Sequence, residues 1–409
     1  MRTMLLVLLP ILGMSLFGLD DLQVGDVGLN ESSKRQPNIV YILADDLGYG
    51  ELGSYGQELI ETPHLDRLAS QGVRMTQHYS GSTVCAPSRC VLLTGLHTGH
   101  SVVRNNWENG GWGPDQPEGQ YPLPPGTDTL ARRLQDQGYR TSAIGKWGLG
   151  GPGTSGHPNL QGFDHFFGYL CQRKAHNYYP THLWRNSDKV MLENNAYFKA
   201  HQKISEPLAD KSMYQQQYGG AEYAPDLMID EAVQFIKSSG DEPFFLYYPS
   251  PIPHLALQIP EDDLGRYPEA WDENAYLGDK GYLPHDRPRA AYAAMITRLD
   301  TEVGKILDQL DAQGLTENTI VIFSSDNGAT YAGGVDYDFF ESSGGLRGLK
   351  GSFWEGGIRV PMIARWPGHI PANTVSDHIS GFQDVMPTVL DMVDAPPADN
   401  IDGVSFAAA

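Results

Sequence analysis

Four short runs of unbroken apolar character stand out along the chain: Asn38–Leu43 (NIVYIL), Thr141–Ile144 (TSAI), Pro243–Tyr248 (PFFLYY) and Thr319–Ser324 (TIVIFS). Continuous rather than alternating apolarity marks strands buried on both faces, as in a parallel sheet. Helical spacing lies between them. Thr62 and Pro63 have the character of an N-cap and first-turn proline, leading into Leu65, Leu68 and Ala69. Leu130 to Leu134 and Leu227 to Ile236 carry the same period. The longest predicted helix runs from Ala290 to Gln313, with apolar residues at three- and four-residue steps and Gly314 ending it. Alternating strands and helices predict an α/β fold, a central mostly parallel sheet flanked by helices on both faces. The stretch 150–223 is rich in Gly, Asn, Tyr and His and lacks a period, which predicts long functional loops.

Polar residues follow each strand at once. The first runs into Asp45-Asp46, the second into Gly145-Lys146-Trp147, the third to Ser250 and His254, the fourth into Asp326-Asn327-Gly328. Ligands of open α/β sheets bind at the carboxyl ends of the strands, so these clusters are expected to converge on one site. Asp45, Asp46, Asp326 and Asn327 offer only oxygen, a set suited to calcium or magnesium. One acidic pair after a strand is ordinarily a turn or cap; two pairs at two strand ends favour a metal site. Lys146, Lys350 and Arg89 are the candidate cations for a tetrahedral oxyanion. Lys350 lies in a loop rich in glycine, which permits close backbone approach to a ligand. His254 follows Pro251-Ile252-Pro253 and is a candidate donor of near-neutral pKa.

Composition is that of a globular protein: 409 residues, 40% hydrophobic, 19% charged, with a formal net charge of −21 that argues against nucleic acid as a partner. Cys85, Cys90 and Cys171 are too few and too irregular for a disulfide framework or a zinc site. Arg2 and the apolar run from Met4 to Phe17 predict a signal peptide over residues 1–18, a linker over 19–36, and export to the periplasm or the medium. No later run predicts a membrane span.

Cys85-Ala86-Pro87-Ser88-Arg89, followed by Val91 through Gly95, resembles the C-x-P-S-R signature of the type I sulfatases, members of the alkaline-phosphatase-like superfamily. Ala44-Asp45-Asp46-Leu47-Gly48-Tyr49-Gly50, Gly138 through Trp147, Ser325 through Gly328 and Lys350 through Pro361 extend the resemblance over nearly the whole chain. It implies that a maturation enzyme oxidises Cys85 to formylglycine, whose hydrate attacks the sulfur of a sulfate monoester. It implies one Ca2+ held by Asp45, Asp46, Asp326, Asn327 and the modified Cys85. Arg89 would steady the nucleophile, Lys146 and Lys350 would bind the sulfate, and His254 would support the leaving oxygen. The substrate would be a sulfated small molecule or glycan. Relatives continue into a small C-terminal subdomain, so a catalytic domain over 37–409 with that subdomain incomplete is expected.

The chain departs from the family at Gly148, where many relatives carry a histidine. His176 is the candidate substitute and His157 the second choice. Tyr178, Tyr179 and Trp184 are candidate sugar-stacking residues. His97, His100, Arg104 and Asn105 either line the substrate side or sit in a surface loop. Two other functions fit the same residues: a phosphodiesterase or phosphonate monoester hydrolase, and a non-catalytic sulfoglycan-binding protein.

Overall fold

The computed structural model describes residues 35–110, 113, 116–194 and 199–409; the apolar run Met4–Phe17 and the linker up to residue 34 lie outside the described residues. The strands are β1 (Asn38–Ala44), β2 (Val73–Tyr79), β3 (Arg140–Lys146), β4 (His165–Tyr169), β5 (His182–Arg185), β6 (Asp188–Met191), β7 (Phe244–Pro249), β8 (Thr319–Ser325), β9 (Arg359–Arg365), β10 (Thr374–Ser376) and β11 (Ser380–Gly381). The helices are α1 (Pro63–Ser70), α2 (Cys85–Thr94), α3 (Leu130–Asp136), α4 (Ser212–Tyr218), α5 (Ala224–Lys237), α6 (Glu261–Leu264), α7 (Pro288–Ala312), α8 (Glu355–Ile358) and α9 (Phe382–Met392).

The described strands join one sheet in the order β10-β2-β9-β8-β1-β7-β3-β4-β5-β6, with β11 also on β2. The four strands visible in the sequence, β8, β1, β7 and β3, are its parallel centre. Successive residues of β1 explain their unbroken apolarity. Val40 and Ile42 enter one core with Leu68 of α1, Ile229 of α5 and Val303 of α7. Ile39, Tyr41 and Leu43 enter the other with Leu92 of α2, Leu134 of α3 and Val389 of α9. A central strand with both faces covered has no polar side to alternate with.

Three expectations change. Thr62 does occupy the N-cap of α1, but its side chain makes no capping bond. Asp300 of α7 does so instead, accepting the amides of His64 at 3.1 Å and Leu65 at 2.7 Å. The stretch 150–223 is not simply loop: it holds β4, which extends the parallel run beside β3, the antiparallel pair β5–β6, and α4. These strands are four or five residues long, too short for a period to register. The antiparallel flank formed by β2 and β9 was likewise unread. No described helix is long and apolar enough to cross a membrane. The three cysteines are all buried and free, with no disulfide.

Candidate active site

The carboxyl ends of β8, β1, β7 and β3 lie side by side, and adjacent strands stand about 4.8 Å apart. Ala44 pairs with Ser325, so Asp45 and Asp326 leave the sheet together; the Asp326 amide donates to Ala44 O at 3.0 Å. Asp46 follows in the left-handed region at φ 68°, which a short polar side chain tolerates. Its amide donates to Asp326 Oδ1 at 3.1 Å.

Cys85 is the first residue of α2, a helix buried along its whole length between the sheet and α9. Four residues on, Arg89 shares its face of the helix. The C-x-P-S-R spacing is thus a helical one: Pro87 sits in the first turn, where it costs no hydrogen bond, and Ser88 Oγ accepts the Gly81 amide at 3.0 Å. Gly95 at φ 67° closes the helix. Arg89 donates through Nε and Nη2 to Asp326 Oδ2 at 3.0 and 2.9 Å, lies 3.2 Å from Asp45 Oδ2, and donates to the Lys146 carbonyl.

Two lysines close over the cysteine. Lys146, the last residue of β3, pairs with Asp45, and its Nζ is 4.0 Å from Cys85 Sγ. Lys350 Nζ lies 2.6 Å from Asp46 Oδ2 and 3.6 Å from Cys85 Sγ. The glycines around Lys350 serve the loop rather than a ligand. A Cβ on Gly356 would come within 2.2 Å of Gly348 O, and one on Gly328 within 1.9 Å of Gly356 O. They allow backbone to pack on backbone, with the Lys350 amide anchored on Ala329 O at 2.9 Å.

The electrostatics follow from burying three carboxylates together. Burial opposes the Asp45 charge, yet Lys146 and Arg89 hold its carboxyl well below the usual range. Lys350 and His254 lower Asp46 against the same burial. Burial, with Asp45 alongside, pushes Asp326 up to about 7 despite Arg89. Burial also pushes the Cys85 thiol well above its ordinary value, more than Lys146 and Lys350 can offset. An unmodified Cys85 is therefore a neutral thiol and a poor nucleophile. His254 is 3.7 Å from Asp46 Oδ2, and its Nδ1 donates to Leu255 O at 2.7 Å. Burial and Lys146 push His254 down to about 4, not the near-neutral value expected.

The donor set fits a hard cation. Asn327 Oδ1 is buried with no hydrogen-bond partner, while its Nδ2 donates to Asp46 Oδ1 at 2.8 Å. Ligand atoms of Asp45, Asp46, Cys85 and His254 lie within 4.8 Å of one another. His176 joins the site by stacking on His254, ring centroids 4.7 Å apart. His157 does not: its Nε2 is 3.1 Å from Asn186 O and its Nδ1 accepts the Asn159 amide at 3.3 Å. Tyr178, Tyr179 and Trp184 are buried, with Tyr178 OH on the carbonyls of Pro251 and His254, so they are not open to a sugar. His97 and His100 are exposed and gather on Asp402 at the far end of α2; Arg104 and Asn105 are surface residues as well.

Sequence reasoning missed Glu51, His201 and Tyr282. Glu51 underpins the turn after Asp46, accepting the Gly48 amide at 2.6 Å and Tyr292 OH at 2.7 Å, and burial pushes it up to about 7. An acid buried five residues beyond Asp46 was visible only as one more charge. His201 and Tyr282 reach His176 from distant segments and carried no local signal.

The sulfatase family profile matches residues 37–395. Arylsulfatase G of Mus musculus is 32% identical over 393 residues, covering 90% of this chain and 67% of its own. N-acetylgalactosamine-6-sulfatase of Canis lupus familiaris is 31% identical over 392 residues, covering 93% of this chain and 67% of its own. The crystal structure of Ps i-CgsB in complex with k-i-k-neocarrahexaose is 28% identical with a TM-score of 0.71, covering 91% of this chain and 76% of that one. A buried cysteine at a helix start, ringed by carboxylates and lysines at the strand ends, thus lies in a matching fold and sequence: the chain belongs to the sulfatase family and is a sulfuric ester hydrolase.

Proposed function

We propose that the enzyme cleaves the sulfate monoester of a sulfated carbohydrate or an aryl sulfate, with Cys85 working as formylglycine. One observation carries the reading: Cys85 Sγ lies within 4.0 Å of both lysine ammonium groups and of Asp45 and Asp46. A neutral buried thiol has no evident chemistry there, whereas a formylglycine hydrate supplies an oxygen nucleophile. A Ca2+ held by Asp45, Asp46, Asp326 and Asn327 would polarise the sulfate and share the charge of these carboxylates with the lysines. Lys146 and Lys350 bind the sulfate oxygens and stabilise charge that grows in the transition state. Arg89, buried behind both Asp45 and Asp326, orients those carboxylates. A carbohydrate substrate is favoured by two relatives, an N-acetylgalactosamine-6-sulfatase and a structure bound to an oligosaccharide.

Mass spectrometry of the peptide containing residue 85 tests the nucleophile; a retained thiol in active enzyme overturns it. Turnover of 4-nitrophenyl sulfate against the matching phosphate ester tests the substrate class, with preference for phosphate overturning it. Maturation requires a formylglycine-generating partner. Export to the periplasm or medium belongs to the same proposal; it rests on Arg2 and the Met4–Phe17 run. Fractionation of expressing cells tests it, and activity confined to the cytoplasm overturns it.

A further inference from the structure

Three rings from separate parts of the chain meet beside His254. His176 stacks on His254 with an interplanar angle of 18°. His201 lies against Tyr282, ring centroids 4.5 Å apart, and Tyr282 is 5.2 Å from His176. His176 is half-buried and His201 is exposed.

Hydrogen bonds within this group fix where the protons sit. A backbone amide can only donate, and the Tyr282 amide lies 3.1 Å from His201 Nδ1. His201 Nδ1 is therefore an acceptor, and the ring is neutral with its proton on Nε2. That Nε2 is 3.4 Å from His176 Nδ1. His176 Nδ1 in turn accepts, which leaves its single proton on Nε2. The contact is long for a hydrogen bond, as those of substrate-free active sites often are. His254 has the opposite arrangement. A carbonyl can only accept, so His254 Nδ1 holds the proton on Leu255 O at 2.7 Å, and in the neutral ring Nε2 carries a lone pair. The two stacked imidazoles thus differ: His176 offers an N–H, whereas neutral His254 offers an acceptor in place of the donor the sequence predicts.

We propose that His176 is a neutral hydrogen-bond donor to the sulfate ester, and that His201 is the positioning residue that fixes its tautomer. The proposal rests on the sulfate-ester reading above. As an oxygen of the residue-85 hydrate bonds to sulfur, its proton passing to solvent, the ester S–O bond breaks and its electron pair moves onto the leaving oxygen, which takes a proton from water. A neutral imidazole N–H steadies that charge while keeping its proton, so no imidazolate forms. The contribution grows with the charge left on the oxygen. It is therefore small for an acidic phenol and large for a weakly acidic one.

The test uses a series of aryl sulfates whose phenols span a wide range of acidity, with wild type, H176A, H201L and H201Q. Glutamine can place an amide N–H near the position of His201 Nε2; leucine cannot. At the least acidic phenol, H176A is expected to lose about 10²-fold in kcat. H201L is expected to lose roughly tenfold there, a smaller effect because it acts through another residue. At 4-nitrophenyl sulfate H201L should lose little, with KM unchanged, and H201Q should recover most of the loss. Histidine-labelled nitrogen NMR reads the tautomer directly: His176 protonated at Nε2 in wild type and a mixture in H201L. His176 protonated at Nδ1, or an H201L loss that is uniform across phenols and not recovered by H201Q, overturns the proposal. An enzyme that hydrolyses no sulfate ester, yet gives the expected NMR pattern, overturns the catalytic role together with the sulfatase reading and leaves the proton placement standing.

Discussion

Lys350 Nζ sits 2.6 Å from Asp46 Oδ2, so a cation from the loop between β8 and α8 closes on a carboxylate just past the end of β1. The pair raises Lys350 well above its ordinary value against the cost of its burial. Its ammonium is a fixed charge at neutral pH, as the proposed sulfate-binding role requires. Lys350→Ala should lower kcat/KM by about 10²–10³-fold. Lys350→Arg should recover little, because a planar fork does not replace a compact point charge in a tight pocket. Steady-state kinetics on 4-nitrophenyl sulfate checks both.

In the proposed calcium site, Asp326 would link cation binding to pH. Burial beside Asp45 lifts its carboxyl to about 7 without an ion, and a metal needs the ionised form. Protons would compete with the proposed cation below that pH and leave the carboxylate free above it. Added calcium should therefore raise Tm more at pH 8 than at pH 6. At a hundredfold excess over Kd the gain is about 2.7 kcal/mol. Calorimetry with and without chelator checks this, and Asp326→Asn should remove most of the calcium response.

Restoring the family histidine at Gly148 should not help. Gly148 has φ 87°, and a Cβ there would come within 2.8 Å of Gln172 Oε1. Gly148→His pays the left-handed strain, about 1–2 kcal/mol, and displaces Gln172 as well. The expected outcome is a lower denaturation midpoint with no gain in turnover. A chemical denaturation curve beside an activity assay decides it.

Glu302 makes stability fall with rising pH. It is buried on α7, with Ser250 Oγ donating to Oε2 at 2.9 Å and Tyr248 beside the carboxyl. Burial raises its pKa from 4.5 to about 8. Between those values the folded protein holds a proton that the unfolded chain has lost. Stability contributed by this group is complete below about pH 4.5, declines as pH rises, and is gone above about 8. The loss is at most on the order of 5 kcal/mol. Glu302→Gln should flatten that part of the profile in urea melts across pH.

The strands β1, β3, β7 and β8 and the helix α7 were legible because each is long and uniform enough for its apolar pattern to register locally. The carboxylates, Lys146 and Cys85 were legible for a related reason: they sit at strand ends or within one helical turn, where chain order dictates place. The family signature added roles that spacing could not. The sequence by itself thus determined the sheet centre, the acidic pairs at its strand ends and the cysteine motif, while the helix over Cys85–Thr94 that carries the motif came only with the structure. Only the tertiary structure decided which of the remaining residues meet them. Lys350 and Asp46 are 304 positions apart, and His201 reaches His176 across 25 residues with no pattern to announce it. The same packing buried Tyr178, Tyr179 and Trp184 away from any sugar. It also turned the glycines near Lys350 into backbone contacts. Such contacts depend on which surfaces remain after the core has closed, and no local stretch of chain encodes that.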